Sequence, residues 1–202
     1  MSDPSEIVGV VLAGGRSSRF GSDKSEAELA GKTLAHRAAE LLASATRRVL
    51  VADGGRGLLV EYPSIPDGPG EGPAAGILGA ARLSPGASIL ALACDLPLVP
   101  ESLLRALARS GEGDWIVPRW NGRLEPLCAL YRPPALEALA GNVAREIVAP
   151  HRLIAHPALR IRFLDGQTLA AHGAPQEIFA NINRPEDLER ITRLLESDLA
   201  SR

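Results

Sequence analysis

Apolar residues along this chain fall into short unbroken runs that alternate with stretches of helical spacing. Residues 7–13 (IVGVVLA) form a continuous apolar run rich in β-branched side chains and stopped by Gly14-Gly15, which predicts a strand buried on both faces. A polar loop over 16–25 follows, then an amphipathic stretch over 34–45 that predicts a helix. Residues 48–52 (RVLVA) predict a second strand, ended by Asp53-Gly54-Gly55, and 63–73 (PSIPDGPGEGP) a long loop. A helix over 74–83, a strand over 88–93 (SILALA), a helix begun by Pro100 and a strand over 114–118 (DWIVP) complete the first 120 residues.

Beyond Gly122 the texture changes. Residues 125–131 (EPLCALY) predict a strand with a proline near its start, 135–139 and 142–149 predict helices, and the alternating 160–164 (RIRFL) predicts an edge strand. A helix begun by Pro185 runs to 195, and the tail after Ser197 is expected to fray. Strand and helix in alternation predict right-handed βαβ units, hence an α/β fold with a mostly parallel sheet and helices on both faces. Ligands of such sheets bind beyond the carboxyl ends of the strands, and the loops after Ala13, Ala52 and Ala93 all fall there.

Composition narrows this further. At 202 residues the chain fits one domain. A formal net charge of −2 and an aromatic content of 3% argue against nucleic-acid partners, which need basic surfaces or stacking platforms. No apolar run is long enough to span a bilayer, and the polar start is no secretory signal, so a cytoplasmic location is expected. Cys94 and Cys128 read as buried free thiols. Only two of the 22 basic residues are lysines, Lys24 and Lys32, so an arginine-using chain has placed a compact ammonium at 24.

The chemistry-bearing residues lie in those loops. Adjacent glycines after the first strand let backbone N–H groups approach a phosphate or a base, and Arg16, Arg19 and Lys24 bring positive charge to the same loop. The spacing fits neither a P-loop, since Asp23 precedes Lys24, nor a dinucleotide fingerprint. Asp95, ending the third buried strand, suits a Mg²⁺ bound together with substrate phosphates, although an Asp there could also cap the following helix. Asp67 could accept from a purine's ring N–H and amino group, or could simply make a turn. His36, His151, His156 and His172 show no ligand spacing, and Ser17 and Ser18 have no evident base.

Taken together, L-A-G-G-x-S-x-R-x-G-x-D-K (12–24), D-x-x-x-x-G-P-x-x-G (67–76), C-D-x-P (94–97), P-L-x-x-L-Y-R (126–132) and N-I-N-x-P-E-D-L (181–188) resemble the MobA-like nucleotidyltransferase family. The resemblance implies a Rossmann-like αβα sandwich of the nucleotide-diphospho-sugar transferase type, transferring GMP from GTP to Mo-molybdopterin with release of pyrophosphate. It implies a nucleotide-binding part over about 7–120 and an acceptor-binding part over about 121–196. Leu12, Ala13 and Gly14 would hold the guanine through their backbone, with Gly15 also at the nucleotide, Lys24 at the phosphates and Arg19 assisting catalysis. It further implies Asp67 at the guanine edge, Asp95 on Mg²⁺, and Asn181 and Asn183 on the pterin side. Asp53 stands where the family commonly has a nucleotide-contacting asparagine and is expected to substitute for it, though it cannot donate as an amide does. Transient contact with proteins that deliver the cofactor or receive it is compatible with this reading. The alternatives are a cytidylyl or sugar-phosphate relative, and a nucleotide-binding regulatory protein without catalysis.

Overall fold

The computed structural model of the chain describes residues 6–14 and 24–200, with side chains to 195. The first strand, β1 (Ile7–Leu12), is buried throughout its last five residues. A 3-10 turn (Lys24–Glu26) leads into a small antiparallel hairpin, β2 (Glu28–Leu29) and β3 (Lys32–Thr33), closed at Ala30-Gly31. Helix α1 (Leu34–Ala45) starts where Thr33 Oγ1 accepts from the His36 N–H at 3.2 Å, and buries Leu34, Ala35, Ala38, Ala39 and Leu42 on one face. Then follow β4 (Arg48–Ala52), β5 (Ser64–Ile65), α2 (Gly72–Leu83), β6 (Ser88–Ala93), α3 (Glu101–Ala108) and β7 (Trp115–Trp120).

Two elements after β7 build the far side of the sheet. β8 (Arg123–Leu124) returns on β7 through Asn121-Gly122, both with positive φ (46° and 74°), the conformation a two-residue type I′ turn demands. β9 (Cys128–Tyr131) inserts antiparallel between β6 and β7. Helix α4 (Pro133–Val143), β10 (Ile161–Leu164), the short α5 (Gly166–Ala170) and α6 (Pro175–Ile178), and α7 (Pro185–Ala200) complete the chain. The sheet runs β10-β7-β9-β6-β1-β4-β5, parallel except at β9 and the β8 spur. α1 and α3 pack together on one face and α2 with α4 on the other, which makes the expected αβα sandwich.

Two expectations need correction. The second helix anticipated over 142–149 does not form. Glu146 takes φ +65°, and the Ile147 and Glu146 N–H groups turn back onto the Asn142 and Val143 carbonyls at 2.9 Å each, ending α4 in a Schellman motif. At the other end of the chain, the backbone stays helical past Ser197 to Ala200. Among the described residues, no helix is long and apolar enough to cross a membrane.

The small residues of α2 have a positional reason. A Cβ on Gly68 would lie 2.5 Å from the Gly79 nitrogen and 2.9 Å from the Ala75 carbonyl oxygen, and one on Gly79 would lie 2.7 Å from the Pro66 carbonyl oxygen. The loop that carries Asp67 therefore presses backbone to backbone against the helix, with the Gly68 N–H bonded to the Ala75 carbonyl at 2.8 Å. Replacing Gly68 or Gly79 by Ala should lower unfolding stability by about 1–3 kcal/mol, the usual cost of overpacking. Denaturant titration reads this directly, and a variant as stable as the parent would show that the contact relaxes freely.

Candidate functional site

Every parallel strand ends at the same rim, and β9, running the other way, begins there, since Cys128 pairs with Leu92 near the end of β6. The rim therefore carries, in spatial order, the residues after β5, β4, β1 and β6, then the segment before β9 and the end of β7. The order reverses between β1 and β6, because β4 follows β1 on one side and β6 flanks it on the other, and open α/β sheets bind ligands at such a switch point. A cleft opens there, lined among others by Leu12, Gly14, Lys24, Asp67, Asp95 and Leu127.

Asp95 sits at its centre. Lys24 Nζ donates to Asp95 Oδ2 at 2.7 Å and to Asn183 Oδ1 at 3.2 Å. Both charged side chains keep under one-fifth of their exposure, 17% and 19%. The Asp95 carbonyl accepts from the Ile182 N–H at 3.0 Å. The Asn183 and Arg184 N–H groups donate to Asp187 Oδ2 at 2.9 and 3.0 Å, so Asp187 holds the turn that presents Asn183. Asn181 is exposed and makes no hydrogen bond among the described residues.

On the nucleotide flank, the Ala13 N–H donates to the Ala52 carbonyl at 3.1 Å and the Cys94 N–H to the Leu12 carbonyl at 3.3 Å. Arg56 Nη2 donates to the Ala13 carbonyl at 3.0 Å and Arg56 Nε to the Asp53 carbonyl at 2.7 Å, clasping two adjacent strand ends. Of the expected tripeptide, Gly14 alone keeps its backbone N–H and carbonyl without a partner among the described residues. The Asp67 carboxylate faces it, with Oδ1 3.9 Å from where a Gly14 Cβ would stand. Gly15, Arg16 and Arg19 lie outside the described residues.

Asp53 departs from its expected role. It is 2% exposed, and its carboxylate is fully engaged in shaping its own loop. Oδ1 accepts from the Gly55 and Arg56 N–H groups at 3.0 and 3.2 Å and from Ser64 Oγ at 2.5 Å, while Oδ2 accepts from the Leu58 N–H at 2.8 Å. Neither oxygen faces a nucleotide, because both are turned into the loop they close and the residue is buried there. Burial alone would raise this carboxyl, but the donors from Ser64, Leu58, Gly55 and Arg56 outweigh it and hold it below the usual carboxylate range.

Two further residues at the rim carried no sequence motif. One is Arg56, just described; the other is Glu125, whose half-buried carboxylate accepts from Trp120 Nε1 at 2.9 Å. Burial, reinforced by the charge of Asp95, pushes the Glu125 carboxyl up despite the Trp120 bond and the charge of Arg123. Cys94 and Cys128 are buried and form no disulfide, and burial pushes the Cys128 thiol up, which leaves it unreactive. Among the described residues no group of three or more His, Cys, Asp or Glu could cage a metal ion, and no histidine lines the cleft.

Comparison with known proteins agrees with this geometry. The family model described as the MobA-like NTP transferase domain matches residues 9–158. The molybdenum cofactor guanylyltransferase of Sinorhizobium fredii (strain NBRC 101917 / NGR234) is 34% identical, over 93% of this chain and 91% of its own length. A probable molybdenum cofactor guanylyltransferase from Carboxydothermus hydrogenoformans is 30% identical, over 91% and 94%. Among solved structures, molybdopterin-guanine dinucleotide biosynthesis protein A from Archaeoglobus fulgidus superposes with a TM-score of 0.78 at 25% identity, covering 95% of this chain and 99% of its own. The 2-C-methyl-D-erythritol 4-phosphate cytidylyltransferase of Thermus thermophilus shares the fold, with a TM-score of 0.67 at 16% identity, covering 95% of this chain and 99% of its own.

Replacing Asp53 by Ala leaves buried N–H groups unpaired and should cost about 1–3 kcal/mol of stability at neutral pH. A depressed carboxyl contributes stability above its unfolded value, and that contribution is lost as pH falls through the folded value. The gap between wild type and Asp53→Ala should therefore narrow in acid; unfolding curves from neutral to acid pH check this, and a gap that widens would contradict it.

Proposed function

We infer what the protein does from its membership: the chain belongs to the MobA-like NTP transferase family. It is a nucleotidyltransferase that transfers GMP from GTP to Mo-molybdopterin, forming the guanine dinucleotide form of that cofactor and releasing pyrophosphate. The observation that carries this reading is the Lys24–Asp95–Asn183 cluster, which joins the glycine loop, the end of β6 and the segment before α7 at the switch point of the sheet.

Each residue's part follows from its place. Gly14 offers backbone groups to the guanine, and Asp67 opposite it accepts from the ring N–H and amino group, a pairing that cytosine and uracil cannot reproduce. Lys24 leaves Asp95 for the phosphates, where its ammonium, with Arg19 and Arg16, offsets the charge of departing pyrophosphate. The acceptor's terminal phosphate forms a new bond to the α-phosphorus as the bond from that phosphorus to the bridging oxygen breaks. The nucleophile is already anionic, so no general base is required.

Mg²⁺ fits this site as an ion that arrives with the triphosphate. One carboxylate plus phosphate oxygens and waters is the donor set Mg²⁺ commonly accepts, and Asp95 already holds a cation, the Lys24 ammonium, on Oδ2. When bound, the ion would neutralise charge shared between the two phosphates. Asn181 and Asn183, on the same side as the acceptor, would orient it.

Replacing Asp95 by Asn keeps the shape and removes the charge. Turnover should fall by about 10²-fold or more, as for other lost electrostatic stabilisers, while the GTP dissociation constant changes far less. Pyrophosphate release and GTP titration measure the two separately, and a variant with near-normal turnover would remove Asp95 from this role.

A further inference from the structure

The segment before β9 reaches the cleft from the side opposite Gly14 and Asp67. The Ala93 N–H donates to the Leu127 carbonyl at 2.8 Å, which seats Leu127 beside Asp95 in the cleft wall and Glu125 two residues away. Glu125 is held by its backbone from both directions. Its N–H donates to the Pro118 carbonyl at 3.0 Å, and its own carbonyl accepts from the Cys128 N–H at 3.1 Å. Its side chain is fixed by Trp120 Nε1 at 2.9 Å, and Trp120 ends β7 where the Asn121-Gly122 turn begins. Two rigid elements thus place a carboxylate and an indole next to each other on the rim.

A structural role does not account for a carboxylate here. Among the described residues Glu125 has no salt-bridge partner, and its Oε2 has no hydrogen bond. Glutamine would accept from the same indole N–H without taking a charge out of water. An anion kept half-buried, within electrostatic reach of Asp95 and with one oxygen open, suits a ligand that brings hydrogen-bond donors. Of the two tryptophans, Trp115 is wholly buried while Trp120 keeps part of its ring exposed, with the Arg123 guanidinium 5.7 Å from its centroid.

We propose that Glu125 and Trp120 seat the pterin ring of the acceptor, the Glu125 carboxylate accepting from the ring N–H and exocyclic amino group while the indole packs against the flat ring. This rests on the acceptor identified above. A pterin's amino-pyrimidinone edge presents two parallel donors, the complement of a carboxylate, and a planar heterocycle packs well on an aromatic side chain. The reach also fits: Trp120 ends β7, which lies two strands from β6, about 10 Å away at ordinary strand spacing. An acceptor with its phosphate at Asp95 and its pterin on Trp120 spans such a distance.

The test is steady-state kinetics of GMP transfer to the pterin phosphate acceptor by wild type, Glu125→Gln and Glu125→Asp. In Glu125→Gln the amide nitrogen meets the ring donors, so the acceptor KM should rise about tenfold or more, with the KM for GTP little changed. Glu125→Asp, which keeps the charge, should recover part of the loss. An acceptor lacking the exocyclic amino group should be a poorer substrate than the parent for wild type and little different for Glu125→Gln. Folding is controlled by the melting temperature at neutral pH, where relief of the buried charge should leave Glu125→Gln at least as stable as wild type. Wild-type transfer with an unchanged acceptor KM in Glu125→Gln would overturn the assignment, as would a shifted Mg²⁺ dependence at constant acceptor KM. Failure of wild type to use any pterin acceptor while still binding GTP would overturn the acceptor reading itself, and this assignment with it.

Discussion

Asp95 is gripped through both its side chain and its backbone. Its carboxylate meets the Lys24 ammonium at 2.7 Å, and its carbonyl takes the Ile182 N–H at 3.0 Å, with Ile182 itself fully buried. Lys24 also reaches Asn183, so three segments far apart in sequence converge on one point at the end of β6. A charged pair this far out of water persists only with partners on most sides, and here the β1 loop, β6 and the segment before α7 each supply one. In the reading proposed above, incoming phosphates would compete for the same ammonium, and a divalent cation for the same carboxylate. The contact that orders the site is then the one that substrate would have to exchange.

The sheet gives that exchange its setting. Because β9 is antiparallel, its start joins the carboxyl ends of β6 and β7, and one rim carries both halves of the reaction. Gly14 and Asp67 lie on one side of Asp95, Leu127, Glu125 and Trp120 on the other. Close contacts hold the Gly14 and Asp67 side in register: Gly68 against Gly79 anchors the Asp67 loop, and the Arg56 side chain ties the end of β1 to the end of β4. On the proposed reading, a nucleotide and an acceptor held by rigid elements on either side of one carboxylate would gain most of what positioning can give a displacement at phosphorus.

Much of the frame was legible in the chain. The apolar runs ending at Ala52 and Ala93 give β4 and β6 residue for residue, that ending at Ala13 gives β1 less its last residue, and the amphipathic stretch gives α1 with both ends correct. What periodicity does not carry is direction, so the antiparallel sense of β9 was hidden, as were two-residue strands such as β5 and β8. The Asn121-Gly122 turn did have a signal, the dipeptide that favours type I′ hairpins. At the site, Gly14, Lys24, Asp67 and Asp95 were legible as loop residues after buried strands. Their pairing was not, because Lys24 and Asp95 are 71 residues apart and only the crossover brings them together. Asp53 misled because a carboxylate in a glycine turn looks the same in sequence whether it faces a ligand or closes its own loop. Glu125 was passed over because nothing in its neighbours reveals burial.

The central claim is that the rim around Asp95 selects a guanine nucleotide. It is tested most directly by thermal unfolding of the full chain with Mg²⁺ and, in turn, GTP, CTP, ATP and UTP. At 100 times its dissociation constant a ligand adds about 2.7 kcal/mol of stability, well within detection. GTP should raise the melting temperature by that measure and the other three should leave it near the ligand-free value. Equal stabilisation by CTP, ATP or UTP, or none by any nucleotide, would contradict the account.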